Sequence, residues 1–165
     1  SRDLQLAPNT VRKYVDILES LHIIFMLRPF HKNIARSLLK EPKAYFFDSG
    51  YVDGDEGVRL ENTAACCLLK HVQHLQDAKG EDVSLHYIRT KEGKEVDFAL
   101  SGKGTLTHFL EVKLSDETAS RNLRYFKQRY PEVNAVQLVH NARNEQQFDD
   151  ISIVRAGDWL ARLKA

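Results

Sequence analysis

The sequence is poor in cysteine, and its two cysteines, Cys66 and Cys67, stand next to each other in an apolar run. Neighbouring cysteines rarely form a disulfide with each other, and no C-x-x-C pair is present to form a metal or redox site. These features argue against a disulfide scaffold. They predict two buried free thiols in a reducing cytoplasm.

Long hydrophobic runs are also missing. No apolar run reaches the roughly 18 to 20 residues that a membrane-spanning helix needs. The first residues, Ser1-Arg2-Asp3-Leu4, are polar, lack an initiator Met and do not resemble a signal peptide. We therefore expect a cytoplasmic protein with no membrane contact, and we expect further sequence upstream of Ser1.

An excess of charge of one sign is absent too, because 24 Lys and Arg residues stand against 23 Asp and Glu residues, for a net charge of +1. No global basic field points to nucleic acid, so a surface for nucleic acid has to be a local patch. A complete phosphate loop is missing as well. Residues 102–105 read Gly-Lys-Gly-Thr, but they lack the upstream glycine and join two predicted strands. We interpret them as a hairpin turn, and no ATPase is encoded here.

The first fifty residues have a pattern of their own. Pro8 followed by Asn9 or Thr10 predicts the start of a helix, and short β-type runs follow at 23–27 and 44–47. A basic stretch between the two runs has three open interpretations: it contacts phosphates, faces the solvent or contacts another domain of the protein. Helix, strand, basic connection and strand are the order of a winged helix from its last helix onward. We therefore assign residues 1–50 to a partial winged-helix or linker segment and residues 51–165 to a second domain.

The second domain is predicted to be α/β. Its periodicity gives the element order α-β-β-β-α-β-β-α, and a three-strand meander followed by a helical crossover makes a mixed sheet with helices on both sides. The predicted ranges are a helix over 58–75, strands over 83–89, 95–100 and 106–114, a helix over 117–130, strands over 133–140 and 151–154, and a final helix capped by Asp158.

One short motif, Glu111-Val112-Lys113, suggests chemistry. Positions i and i+2 of a strand point to the same face, so Glu111 and Lys113 project together while Val112 points into packing. A carboxylate can hold a hard cation such as Mg²⁺. A lysine beside it can orient or help deprotonate a water molecule, or stabilise negative charge on a phosphate. The same motif is also common as a surface ion pair.

Two further acids are placed near this pair. If the hairpin turn centres near Gly104, Asp97 lies across from Glu111, with Cβ atoms about 5 Å apart, close enough to share a metal. Glu61 falls inside the apolar stripe of its helix. A carboxylate is unfavourable there unless it has a role such as binding a metal. Taken singly, Asp97 can be a salt bridge to Lys94 or Arg89, and Glu61 can be an acid that favours a helix N-terminus.

Longer strings of residues resemble a known family. The run over 89–98, Arg-Thr-Lys-Glu-Gly-Lys-Glu-Val-Asp-Phe, followed by Leu-Glu-Val-Lys over 110–113, resembles the PD-(D/E)XK nuclease superfamily. More closely, it looks like the C-terminal domain of a family of bacterial and archaeal AAA+ ATPases, long called a domain of unknown function. Leu-Glu-Asn at 60–62, residues 42–50 and Asn-Thr-Val at 9–11 also fit, so the resemblance covers almost the whole chain.

The resemblance implies a restriction-endonuclease-like core behind a winged-helix segment, with a P-loop ATPase upstream. By position, Glu61, Asp97 and Glu111 are implied metal ligands together with the backbone carbonyl of Val112, and Lys113 is the implied catalytic lysine. The implied cofactor is Mg²⁺ or Mn²⁺, with ATP bound only by the upstream domain. DNA and the ATPase are the implied partners, and an oligomer is possible. Val96 stands where many superfamily members have proline.

A non-enzymatic interpretation stays open beside the nuclease. In it, the chain uses the same fold as a nucleic-acid or protein recognition module of an ATPase. Four basic residues on the polar face of the 117–130 helix fit either interpretation, because they can line a nucleic-acid path or simply face the solvent. They are Arg121, Arg124, Lys127 and Arg129.

Overall fold

The computed structural model describes residues 7–30, 41–115 and 118–163. It is an α/β fold in which helices cover both faces of a mixed sheet, as the sequence predicts. In chain order the helices and strands are α1 (Pro8–Ser20), β1 (Ile24–Leu27), β2 (Lys43–Phe46), α2 (Glu56–Lys79), β3 (Val83–Arg89), β4 (Glu95–Gly102), β5 (Thr105–Lys113), α3 (Arg121–Arg129), β6 (Asn134–Val139), β7 (Gln146–Phe148), β8 (Ile151–Arg155) and α4 (Ala156–Ala161).

The main sheet has six strands in the order β3-β4-β5-β6-β8-β7. The first three form an antiparallel meander, and β6 then pairs parallel to both β5 and β8. The β4–β5 hairpin turns through Lys103 and Gly104, which both have positive φ, as a two-residue hairpin turn of this kind requires. The predicted turn at 102–105 and the meander with a helical crossover are therefore confirmed.

Two apolar layers hold the helices on the sheet. On one face, Leu123 and Phe126 of α3 pack in a cluster with Phe109 and Ile151. On the other face, α2 places Leu68 in a cluster with the central strands and with α4. Each large side chain buried in this way contributes about 1.5 to 3 kcal/mol to the free energy of folding.

The N-terminal segment is joined to the main sheet by hydrogen bonds. Phe30 N donates to Tyr87 O and Tyr87 N donates to Arg28 O, which ties the chain after β1 to the β3 strand. Asn62 of α2 accepts from Phe46 N and donates to Phe46 O, at 2.8 and 2.9 Å. These contacts span the boundary predicted near residue 50, which stays a prediction. Most of the predicted basic stretch, residues 31–40, lies outside the described residues.

The structure corrects several predicted boundaries. The helix predicted over 117–130 begins at Arg121, because the Ser120 side chain caps it by accepting a hydrogen bond from Leu123 N at 3.0 Å. The helix predicted to end at residue 75 continues to Lys79, where Gly80 ends it in the left-handed conformation. Asp158 was expected to cap the last helix. It lies in the first turn of α4 instead, with Arg155 at the N-cap.

The strand β7 is not predicted by the sequence pattern. This strand has only three residues, all exposed, and it pairs antiparallel with β8 at the edge of the sheet. A short polar strand has no hydrophobic alternation to reveal it. Across residues 7–30, 41–115 and 118–163, no helix combines the length and the apolar character needed to cross a membrane.

Candidate functional site

Glu111 and Lys113 lie side by side on β5, as predicted. The Lys113 Nζ to Glu111 Oε1 distance is 2.9 Å. The Glu111 side chain is only 5% exposed, whereas that of Lys113 is 36% exposed. Among the described residues, the second carboxylate oxygen, Oε2, is buried without a hydrogen-bond partner. An unpaired buried carboxylate oxygen is costly, and it is the kind of atom that a cation ligand satisfies.

A β-bulge sets the position of Asp97. In the β3–β4 register His86 pairs with Ala99 and Ile88 pairs with Val96, so Tyr87 alone faces both Asp97 and Phe98. A bulge of this kind redirects side chains and is common beside active sites. Asp97 Oδ2 accepts a hydrogen bond from Val112 N at 2.9 Å. Asp97 is therefore fastened to the backbone between Glu111 and Lys113.

A second group of charges forms around Lys43 of β2. Its ammonium group contacts carboxylates from two other elements, at 3.2 Å from Glu61 Oε1, 2.7 Å from Glu95 Oε1 and 3.8 Å from Asp97 Oδ1. We call Lys43, Glu61, Glu95 and Asp97 the Lys43 cluster. Tyr45 supports it by donating its hydroxyl to Glu61 Oε1 at 2.7 Å.

Sequence reasoning placed Glu61 and Asp97 near a common site but missed Lys43, Tyr45 and Glu95. A signal was available, since Lys43 and Tyr45 are at i and i+2 of one strand, and so are Glu95 and Asp97. The strand period that places Glu111 and Lys113 on one face also places each of these pairs on one face of its strand. The strand period does not predict that β2 packs beside β4.

Glu61 was predicted to fall inside the apolar stripe of its helix, but the structure places it at the edge of that stripe. Its side chain is 31% exposed, and Val58, assigned to the same stripe, is 49% exposed. The buried side of α2 consists of Asn62, Ala64, Ala65, Leu68 and Val72. Asn62 is buried because it hydrogen-bonds the backbone of β2. Ala65, Leu68 and Val72 of the predicted stripe are buried, whereas Val58 is exposed and Glu61 lies at the edge of the stripe.

The electrostatics of the site centre on Asp97. Burial raises the pKa of Asp97 to about 7, and the nearby charges of Glu111 and Glu61 act in the same direction. The Val112 N–H and the Lys43 ammonium oppose this rise. Burial alone lowers the pKa of Lys43, but Glu61, Glu95 and Asp97 outweigh it, so the pKa of Lys43 is raised.

The donor chemistry of this site fits a divalent cation, although the arrangement is not a preformed metal cage. Carboxylate and carbonyl oxygens are the ligands that Mg²⁺ prefers, and Glu111 Oε2 supplies a buried oxygen that lacks a hydrogen bond. In the part of the chain that the structure describes, no three His, Cys, Asp or Glu side chains are grouped as ligands of one metal ion. The Lys43 ammonium lies among the carboxylates instead.

Comparison with known proteins identifies two families. Residues 56–159 match a family described as Domain of unknown function (DUF4143), and residues 1–53 match one described as Domain of unknown function (DUF8612). No curated protein and no solved structure matches the chain at a significant level. Glu61, Asp97, Glu111 and Lys113 lie in the first match, whereas Lys43 lies in the second.

Proposed function

We propose that this chain, which belongs to the DUF4143 family, is the PD-(D/E)XK nuclease-like domain of a cytoplasmic AAA+ ATPase and hydrolyses phosphodiester bonds in DNA with Mg²⁺ or Mn²⁺. One observation carries the proposal. Glu111 is a buried carboxylate with one oxygen held by Lys113 and the other lacking a hydrogen-bond partner among the described residues, and Asp97 is bonded to the intervening backbone. A carboxylate in this state is poised for a cation.

The residues have distinct roles in the proposal. Asp97, Glu111 and the Val112 carbonyl would hold the ion, with Glu61 contributing directly or through water. The bound ion would stabilise the negative charge that develops on the phosphate. Lys113 fixes the Glu111 carboxylate, and its partly exposed ammonium would position the attacking water. The water oxygen would bond to phosphorus as the bond from phosphorus to the leaving sugar oxygen breaks. One proton of the water would pass to the solvent, and the sugar oxygen would take up a proton from the solvent, which leaves one phosphate end and one hydroxyl end.

In this proposal, β2 connects the candidate site to an upstream domain. Lys43 belongs to β2, which is tied to α2 through Asn62, and it reaches across to Asp97 on β4. A movement of β2 would therefore change the charge beside the proposed ligands. An upstream ATPase could act on the site by this route.

Cleavage assays test the proposal. Single-stranded and double-stranded DNA are incubated with the chain in Mg²⁺ or Mn²⁺, with EDTA as the metal-free control. We expect cleavage that requires the metal and that Glu111→Gln removes, because this substitution keeps the shape of the side chain but removes the charge that binds the ion. If Glu111→Gln cleaved DNA at the same rate as the wild type, the cleavage would come from a contaminating nuclease, and the proposal would be refuted.

A second function, a recognition module without turnover, is favoured by the Lys43 cluster. There one ammonium group contacts three carboxylates, as in a structural ion-pair network. This alternative predicts that the chain binds nucleic acid or a protein partner equally well with and without divalent ions, and that it cleaves no DNA under any of the conditions above.

A further inference from the structure

A cleft of about 470 Å³ lies between α3 and the turn that joins β3 to β4. We call it the hairpin cleft. Its cationic wall consists of Arg89, Lys91 and Arg129, and its aromatic wall consists of Phe30, Tyr125 and Tyr130. The volume lies within the 300 to 1,000 Å³ that small-molecule sites typically have, roughly enough for one nucleotide.

The side chains of the hairpin cleft match the chemistry of a nucleotide. Tyr125 and Tyr130 are half-buried, so their rings are held in place while part of each surface stays accessible. Lys94 Nζ lies over one face of the Tyr125 ring, 3.7 Å from its centre, and so leaves the other face of the ring for a base. Aromatic rings that stack on bases, next to cations that follow the backbone, are the usual means of binding single strands. One acid, Glu92, also lines the cleft.

A short series of contacts joins the hairpin cleft to the candidate site. Arg89 lines the cleft, and its Nε lies 3.5 Å from Glu95 Oε2. The other oxygen of Glu95 lies 2.7 Å from Lys43 Nζ, and Lys43 lies 3.8 Å from Asp97. Arg89, Glu95 and Lys43 therefore connect the hairpin cleft to Asp97 through side-chain contacts.

We propose that the hairpin cleft binds one nucleotide of single-stranded DNA, with its base against Tyr125 and Tyr130 and its phosphate at Arg89 and Arg129. This inference rests on the proposed nuclease function and specifies its substrate. A duplex keeps both faces of each base stacked on neighbours, so a base reaches an aromatic wall only from an unpaired strand. Of the four basic residues of α3, Arg129 lines the cleft, whereas Lys127 donates to Pro131 O and Val133 O.

Fluorescence anisotropy in EDTA tests the inference with a labelled twelve-nucleotide thymidine strand and a labelled duplex of the same length. We expect the wild type to prefer the single strand. Tyr125→Leu should weaken single-strand binding about tenfold, because the stacking surface is lost. Tyr125→Phe keeps the ring and should stay within about twofold. Arg129→Gln should weaken binding and reduce its dependence on salt.

Two controls make each outcome decisive. Arg162→Gln removes an exposed arginine beside α4, on the other face of the sheet, and should leave binding unchanged. Thermal unfolding checks that each variant is folded. If Tyr125→Leu does not fold, DNA binding by Arg129→Gln tests the inference in its place. Equal affinity for both DNA forms, or unchanged binding by folded Tyr125→Leu and Arg129→Gln, would overturn the inference. Binding in EDTA needs neither metal nor cleavage, so tight binding without cleavage in Mg²⁺ would refute only the nuclease function.

Discussion

The two charged groups of the site hold their charges in opposite ways. Glu111 and Lys113 come from one strand, two residues apart, and one oxygen of Glu111 lacks a hydrogen-bond partner among the described residues. The Lys43 cluster is assembled from β2, α2 and β4, and all three of its carboxylates contact one ammonium group. The first group therefore keeps a carboxylate oxygen open to a ligand, whereas the Lys43 ammonium already contacts the carboxylates of the second group, including Asp97 and Glu61 of the proposed metal site.

The largest expected effect is the loss of DNA cleavage in Lys113→Ala. If Lys113 positions the attacking water, metal-dependent cleavage should fall at least about 100-fold. The rate of product formation on labelled DNA measures this effect. Lys103→Ala, at the exposed turn of the β4–β5 hairpin, is the matched control and should cleave as the wild type does. If folded Lys43→Gln lost as much DNA cleavage as Lys113→Ala, the two charged groups would not differ in their role in cleavage.

The next effect concerns the attachment of β2. Asn62→Ala removes both hydrogen bonds to Phe46 and leaves Phe46 N without this partner, while Phe46 O keeps its contact with the Cys66 thiol, so the free energy of unfolding should fall by about 1 to 3 kcal/mol. Urea unfolding measures the change. Thr63→Val, the next residue of α2, is the control, because the Thr63 hydroxyl is exposed and bonds Arg59 O within its helix and Ser49 Oγ. A change of similar size in both variants would argue against a special role for Asn62.

The same comparison explains what the sequence could reveal. The Glu111–Lys113 pair and the position of Asp97 opposite it follow from the period of a strand and the place of a turn, both of which are local. The Lys43 cluster depends on how β2 packs against α2 and β4, between residues 18 to 54 positions apart in the chain. No local pattern encodes that packing. The bulge that redirects Asp97 was missed for the same reason, because two strands define it.

A smaller effect is a pH dependence of stability in the absence of metal. The pKa of Asp97 is raised by folding to about 7, so the stability it contributes is fully present below its unfolded pKa and is lost as the pH rises through 7. Relative to Asp97→Asn, the wild type should lose about 1 to 3 kcal/mol between pH 5 and pH 8. Urea unfolding of both proteins in EDTA measures this. Parallel stability curves would contradict the raised pKa.

The smallest effect is expected at Lys43. Its ammonium repels a divalent ion placed near Asp97, so Lys43→Gln should bind Mn²⁺ about fivefold more tightly than the wild type. The same variant should be less stable without metal, because three carboxylates lose their counter-charge. Thermal unfolding with and without Mn²⁺ measures both changes, since a bound ion raises the unfolding temperature. Weaker Mn²⁺ binding in Lys43→Gln would assign Lys43 to metal binding and would erase the contrast between the groups.

Calorimetric titration with Mn²⁺ at pH 8 tests the central claim most directly. At this pH Asp97 is mostly ionised, so proton competition for the site is small. We predict saturable binding by the wild type, and its loss in both Asp97→Asn and Glu111→Gln, with both variants folded. Binding that persists in the two variants, or no binding by the wild type, would contradict a metal site at Asp97 and Glu111.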